Sequence, residues 1–436
     1  MLSIGIASTG VLTFAYFALA SHVLGPSPTG RARYSHLDVL WSVMFVIICV
    51  IYRPIEQLLS RSIADRRARG IERQPLRAPL AIQGSFALIF LAVALPLKHT
   101  LSHGVFRSET LYWILVVGVL AYAASYFARG WLAGHKYFAL YGGLVFMEAA
   151  SRFAFALAAA VGIAHGQSAI AIGIAAAPFV SLVVVPAAFA GSAAGRSASA
   201  TPRVSDAALE GPAAEGLEEA ASQLSIRGGG RFALSVAGIQ LAEQTLLNAA
   251  VLTVYATSSM SSLPGAVFDL MLITRAPLQL FQAIQTSLLP HLTGLEVTEG
   301  RAAFRRAVRI TVGAIAAFAL ATAVGLVAVG PFVMHHLFGY NFRYERFGLA
   351  LVGIGMGLHL SAGTLNQAAL ARGQAGRAAA LWLAAAALFV GWMLIGVIGD
   401  QVLRTEVGYT GAAGLLALAL ALLYRRGSPT ASASST

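Results

Sequence analysis

VIYRPIEQLL, residues 50–59, and LITRAPLQLF, residues 272–281, each set an arginine and then a proline inside a long apolar run. Arginine is among the costliest side chains to hold in hydrocarbon, about 2.5–3.5 kcal/mol at a helix centre on insertion scales. Its placement twice, in matching contexts far apart in the chain, points to an internal repeat with a polar purpose. A second match extends the repeat outward. ARGWLAGHK (128–136) lies between the fourth and fifth apolar runs, and ARGQAGR (371–377) lies between the tenth and eleventh. An even number of spans per half makes such a repeat parallel, with a pseudo-twofold axis along the membrane normal.

The surrounding sequence sets the class. Of 436 residues, 58% are hydrophobic and 11% are charged, against roughly 25% charged in an average soluble domain. Crossing hydrocarbon takes about 20 apolar residues per helix, and about twelve such runs are present. They cover 2–24, 37–60, 79–97, 110–132, 137–163, 168–190, 230–256, 263–292, 305–330, 346–370, 377–399 and 405–425. The short alternating segments of a membrane β-barrel are missing from this pattern. The expected fold is therefore an all-α integral membrane protein of two six-helix bundles. Residues 1–190 form one half and 230–426 the other. Residues 191–229, rich in Ala, Gly, Ser and Pro with a cluster of acids, read as a flexible cytoplasmic linker, and 427–436 as a disordered tail.

Charge orients the bundle. With the N-terminus inside, the cytoplasmic segments collect most of the basic residues, among them Arg61, Arg66, Arg67, Arg69, Arg73 and Arg77, then Arg301, Arg305, Arg306 and Arg309, and finally Arg425 and Arg426. Both termini are thus expected in the cytoplasm. The formal charge of +12 is a topology signal spread over helix ends, so nucleic acid is not an expected partner, whereas membrane lipids are. FALASH (17–22) resembles a signal-cleavage site, but no basic residue precedes it and further spans follow, so the first run is read as a retained helix. Cys49 is the one cysteine, which excludes an internal disulfide framework. His99 and His103 have ligand spacing but fall in a polar loop, and no P-loop motif is present. No metal and no cofactor is expected.

The polar residues inside the spans are the candidate site. Arg275 lies about 18 Å from the nearer end of its span, too deep to snorkel easily. Gln279, Gln282 and Thr286 follow it on the same helix face. Arg53 is nearer its span end, and Glu56 at i+3 can pair with it. Glu148 and Arg152 are an i,i+4 pair that either neutralises itself or faces a cavity. Gln240, Glu243, Gln244 and Asn248 form a second polar strip, in which Glu243 either carries a proton or meets Arg275 across the bundle. Glu243, Glu148, Glu56 and Asp269 are the candidates for coupling to H⁺ or Na⁺. Asp38 reads as an acid at the start of a helix, and Gly353 with Gly357 as a close-packing pair.

Taken together, ALASHVLGPSPTGRARYSHLDVLWSVMF (18–45), RPIEQLLSRSIADRRARG (53–70), FARGWLAGHKYFALYGGLVFMEAASRFAFALAAAVG (127–162) and RAPLQLFQAIQTSLLPHLT (275–293) resemble bacterial polysaccharide flippases. These belong to the superfamily of multidrug, oligosaccharidyl-lipid and polysaccharide exporters, which includes the lipid II flippase and the MATE drug exporters. The resemblance implies a central cavity between the halves and an undecaprenyl-diphosphate-linked oligosaccharide moved to the outer leaflet of a bacterial plasma membrane by alternating access. It implies Arg53 and Arg275 as diphosphate ligands, with Arg152, Gln279, Gln282, Gln244 and Asn248 lining the cavity. Polysaccharide biosynthesis enzymes are the implied protein partners, and the chain itself is not expected to be an enzyme. Cation-coupled drug export of the MATE type and a non-transporting scaffold are the alternatives.

Overall fold

The computed structural model describes residues 2–68, 77–184, 212–275, 277–278, 300–338 and 344–426. Among these all regular structure is helical. In chain order the helices are α1 (Leu2–Leu24), α2 (Pro28–Ala68), α3 (Arg77–Ala94), α4 (Glu109–Gly134), α5 (Phe138–Ala160), α6 (Gly166–Ser181), α7 (Pro212–Thr257), α8 (263–275), α9 (Gly300–Phe338), α10 (Arg346–Ala371), α11 (Ala375–Ile395) and α12 (Gln401–Arg426). A π-helical turn, Thr100–Val105, precedes α4. Seven helices of the described residues are long and apolar enough to span a membrane, and α1, α3 and α6 carry shorter apolar stretches. This is a multi-pass membrane protein.

Local chemistry explains the boundaries. The Gly30 N–H donates to Ser27 Oγ at 3.0 Å, so Ser27 caps α2 and Pro28 takes the first helical position, where a missing N–H is harmless. Ser108 caps α4 through the Leu111 N–H at 3.3 Å. Gly396, at φ 73°, closes α11 in the left-handed region that glycine tolerates. The helix continues through Pro54. One sequence expectation needs correction. The chain is helical from Pro212, so the expected linker 191–229 is helical over 212–229, where PAAEGLEEAASQL supplies strong helix formers behind a proline at the first turn. Residues 191–211 and the tail 427–436 lie outside the described residues.

The packing repeats between halves. α1 packs on α5 as α7 packs on α11; α4 packs on α6 as α10 packs on α12; α5 meets α6 as α11 meets α12. The two bundles meet chiefly where α2 runs along α7. Within the second bundle, α10 turns its glycines to α9: Gly353 faces Ala323 and Leu326, and Gly357 faces Ala319. Small residues let two backbones approach where no hydrophobic force drives helices together in lipid. Gly357→Val should therefore part α9 from α10 and cost about 1–3 kcal/mol, read as a lower thermal midpoint in detergent. Gly313→Ala, in open space, should leave the midpoint unchanged.

Candidate functional site

The seam between the bundles is built from both halves. His36 of α2 meets Tyr255 of α7 with ring centroids 6.2 Å apart. Further along the same pair of helices, Arg53 Nη1 donates to Gln240 Oε1 at 2.9 Å. The two helices therefore run antiparallel. Phe17 of α1 packs on Phe268 of α8 at 4.6 Å, and Phe14 on Phe338 of α9 at 5.2 Å.

Arg275, at the end of α8, reaches back to α7. Its Nη2 donates to the Leu247 carbonyl at 3.0 Å and to Asn248 Oδ1 at 2.7 Å. Asn248 in turn donates to the Gln244 carbonyl at 2.9 Å and to Gln244 Oε1 at 3.2 Å. Glu243 lies beside Gln240 and within electrostatic reach of Arg53. The sequence expectation that Glu243 meets Arg275 is thus corrected: one turn separates the carboxylate from Asn248, and that turn assigns it to the other arginine. Gln279 and Gln282 lie outside the described residues.

Aromatic rings join the arginines of the two halves. Arg275 Cζ sits 4.4 Å from the Phe268 ring centre, Phe268 packs on Phe17, and Phe17 meets Trp41 edge-on at 5.0 Å. Arg152 Cζ lies 5.2 Å from the centre of the same Trp41 ring. Phe17, Trp41 and Phe268 are buried, so each guanidinium rests on a ring in a low-dielectric setting, where cation–π attraction is strongest.

Glu148 and Arg152 do not pair with each other as their spacing suggested. Glu148 accepts from Ser125 and Arg129 of α4 and, at 3.4 Å, from Ser181 of α6, while Arg152 Nη1 donates to Tyr122 Oη at 2.8 Å. Each finds a cross-helix partner because α5 faces both α4 and α6 at this level. Glu56 likewise accepts from Tyr141 Oη at 2.8 Å. These residues form a buried ionic network inside the first half.

Where α1 turns into α2, Asp269 Oδ1 accepts from Tyr34 Oη at 2.6 Å, and Tyr344 Oη donates to the Ala266 carbonyl at 3.2 Å. A cavity of about 40 Å³ opens among these groups. Asp38 is fully buried beside them, not a surface acid at a helix start. Its depth follows from the true start of α2: at 1.5 Å per residue, Asp38 is roughly 15 Å along the helix. The Ser27–Pro28 cap was the signal that reveals it. In the second half, His359 Nδ1 and Tyr409 Oη lie 3.1 Å apart in the bundle core. Among the described residues no group of three or more His, Cys, Asp or Glu is arranged to hold a metal ion.

No protein-family model matches the chain, and no curated protein does. Solved structures do. A mutant of the Vibrio cholerae MATE transporter VcmN superimposes with a TM-score of 0.66 at 14% identity, over 98% of this chain and 95% of that one. An outward-facing multidrug resistance MATE family transporter of the MOP superfamily gives 0.70 at 13% identity, over 98% and 94%. The eukaryotic MATE transporter AtDTX14 gives 0.63 at 12% identity, over 98% and 96%. The chain has the MATE fold, twelve transmembrane helices in two bundles.

The network in the first half yields a stability prediction. Arg129→Met strands the Glu148 carboxylate in the bundle and should cost about 3–5 kcal/mol, seen as a large loss of folded protein on heating. Adding Glu148→Gln should recover much of that loss, which a merely steric defect at Arg129 would not allow.

Proposed function

We propose that the chain is an alternating-access transporter whose seam arginines receive the diphosphate of a lipid-linked oligosaccharide and carry it from the cytoplasmic to the outer leaflet of a bacterial plasma membrane. One observation supports this cargo above the others. Arg53 and Arg275, from corresponding helices of the two halves, both reach the seam and hydrogen-bond there to neutral acceptors, Gln240 Oε1 for one and Asn248 Oδ1 with the Leu247 carbonyl for the other. These hydrogen bonds leave each guanidinium spare donors for phosphate oxygens, which it binds bidentately, and Glu243 is the acid within reach of Arg53 that such a phosphate would displace. One arginine in each half would let either half grip the anion while the other moves. Both termini would lie in the cytoplasm, and glycan-assembling enzymes are the natural suppliers and users of such a cargo.

Cation-coupled export of drugs is the second reading, and the solved structures favour it more directly, since those of similar fold carry the names of multidrug transporters. Glu243, Glu56, Glu148 and Asp269 would then be coupling groups for H⁺ or Na⁺. Reconstituted vesicles separate the two. The proposed cargo requires that a fluorescent undecaprenyl-diphosphate oligosaccharide become accessible to an external quencher, while a lipophilic cationic dye is not moved. Dye efflux without lipid movement would establish the second reading and overturn the first.

Removal of Arg275 tests the anion site. Arg275→Ala should lower lipid movement by about tenfold to a hundredfold, the worth of one charge-assisted hydrogen bond of about 1.5–3 kcal/mol. Arg275→Lys should retain part of the rate, because charge survives and the fork does not. Membrane insertion and gel-filtration behaviour should match the parent, and full activity in the alanine variant would exclude Arg275 from the site.

A further inference from the structure

The end of the seam where α1 turns into α2 holds two buried carboxylates from opposite halves that cargo binding does not use. Asp38 of α2 is fully buried, and neither of its oxygens has a hydrogen-bond partner. Asp269 of α8 is buried too, with Oδ1 taking the Tyr34 hydroxyl. The two acids lie within electrostatic reach of each other.

Gly265, in the first turn of α8, allows this approach. A methyl group on it would stand 3.3 Å from Asp38 Oδ2 and 3.2 Å from Ser35 Oγ. Ser35 Oγ is buried and also without a partner. Two unpartnered oxygens, Asp38 Oδ2 and Ser35 Oγ, therefore approach one glycine that forms part of the wall of the cavity, with Tyr34, Asp269 and Tyr344 also lining it. A cavity of about 40 Å³ admits a few waters at most, given the 10–15 Å³ that each needs. The positive end of the α8 helix dipole favours negative charge here, but only by about 0.3–1 kcal/mol.

The charge balance is unfavourable with both acids ionised. The groups facing Asp38 are Tyr16 of α1, Tyr34 of α2, Asp269 and Arg275 of α8, and Tyr344 before α10. Arg275 is one cation against two carboxylates, and its hydrogen bonds go to Asn248 and Leu247. Arg31, at the cavity edge, turns its Nε to the Pro26 carbonyl at 2.9 Å.

We propose that Asp38 and Asp269 are a proton-loaded latch: one proton held by the pair keeps the halves closed at this end, and its loss lets them part. On release a carboxyl O–H bond breaks, and the proton passes to a cavity water and leaves as hydronium. Two anionic carboxylates remain facing each other across the seam. The closed end holds one proton more than the open end, so closure is favoured at low pH and lost as pH rises, by up to about tenfold per pH unit. The latch rests on the transport reading for its purpose, which is to gate the end that the topology places outside.

The test needs no cargo. The full chain carrying Cys49→Ala, Ile163→Cys and Val397→Cys is spin-labelled in lipid nanodiscs; both label sites are exposed, on turns at this end of opposite halves. Electron–electron distances should be short at low pH, with a longer population growing by up to about tenfold per pH unit as pH rises. Asp38→Asn with Asp269→Asn should stay short throughout, and so should each single variant, in which two carboxylates no longer meet. A parent distribution that ignores pH overturns the latch. So does an unchanged response in the asparagine pair, which would trace the effect to His22 or His36. Sodium that closes this end at fixed high pH would assign the cavity to a metal cation and overturn the proton. Because cargo is absent, a working latch in a chain that moves no cargo would retire the transport reading alone.

Discussion

Hydrocarbon offers no partner to a charge, and that constraint places most of the described charges inside this bundle. Arg275 turns back to a carbonyl and an amide of α7; Glu148 gathers three donors from two helices; Arg152 takes a hydroxyl and a ring face. None of these partners is a near neighbour in sequence, so the helices cannot slide or rotate without stranding a charge. Polar groups here specify register between helices more than they add stability, since a buried pair recovers little beyond its own desolvation.

The two halves share their packing plan but use charge differently. In the first, Arg129, Glu148, Glu56 and Arg152 make an ionic interior across α2, α4 and α5. In the second, neutral groups predominate, with His359 against Tyr409 and Thr410 donating to the Leu351 carbonyl at 2.8 Å, beside a buried Glu406 that faces Gly348. A self-satisfied ionic core fixes the register of its own helices, whereas Arg53 and Arg275 make their hydrogen bonds to α7 at the seam.

Most of the fold was legible in the sequence because hydrophobic length is a strong signal. The first, fourth, tenth and twelfth spans fall within a few residues of their helices, and Gly353 and Gly357 pack as expected. Partner choice was not legible. Spacing placed Glu148 beside Arg152 and left Glu243 with either a proton or Arg275, whereas Arg129 bonds to the first across helices and Arg53 lies within electrostatic reach of the second. Helical periodicity gives the face a residue occupies, but the helix that meets that face is a tertiary fact. Asp38 was misread for a different reason: hydropathy starts the second span at residue 37, while the Ser27 cap starts the helix earlier, and a polar first turn hides a deeply buried acid.

The ring stack between Arg152 and Arg275 has a mechanical meaning. Parting Phe17 from Phe268 exposes each ring at about 1.5–3 kcal/mol when water is what enters, and the Arg275 guanidinium lies against one of these rings. An empty opening is thus penalised, and water alone is a poor occupant. An apolar surface entering between the rings restores the contact that water does not, so what fills the seam decides how costly its opening is.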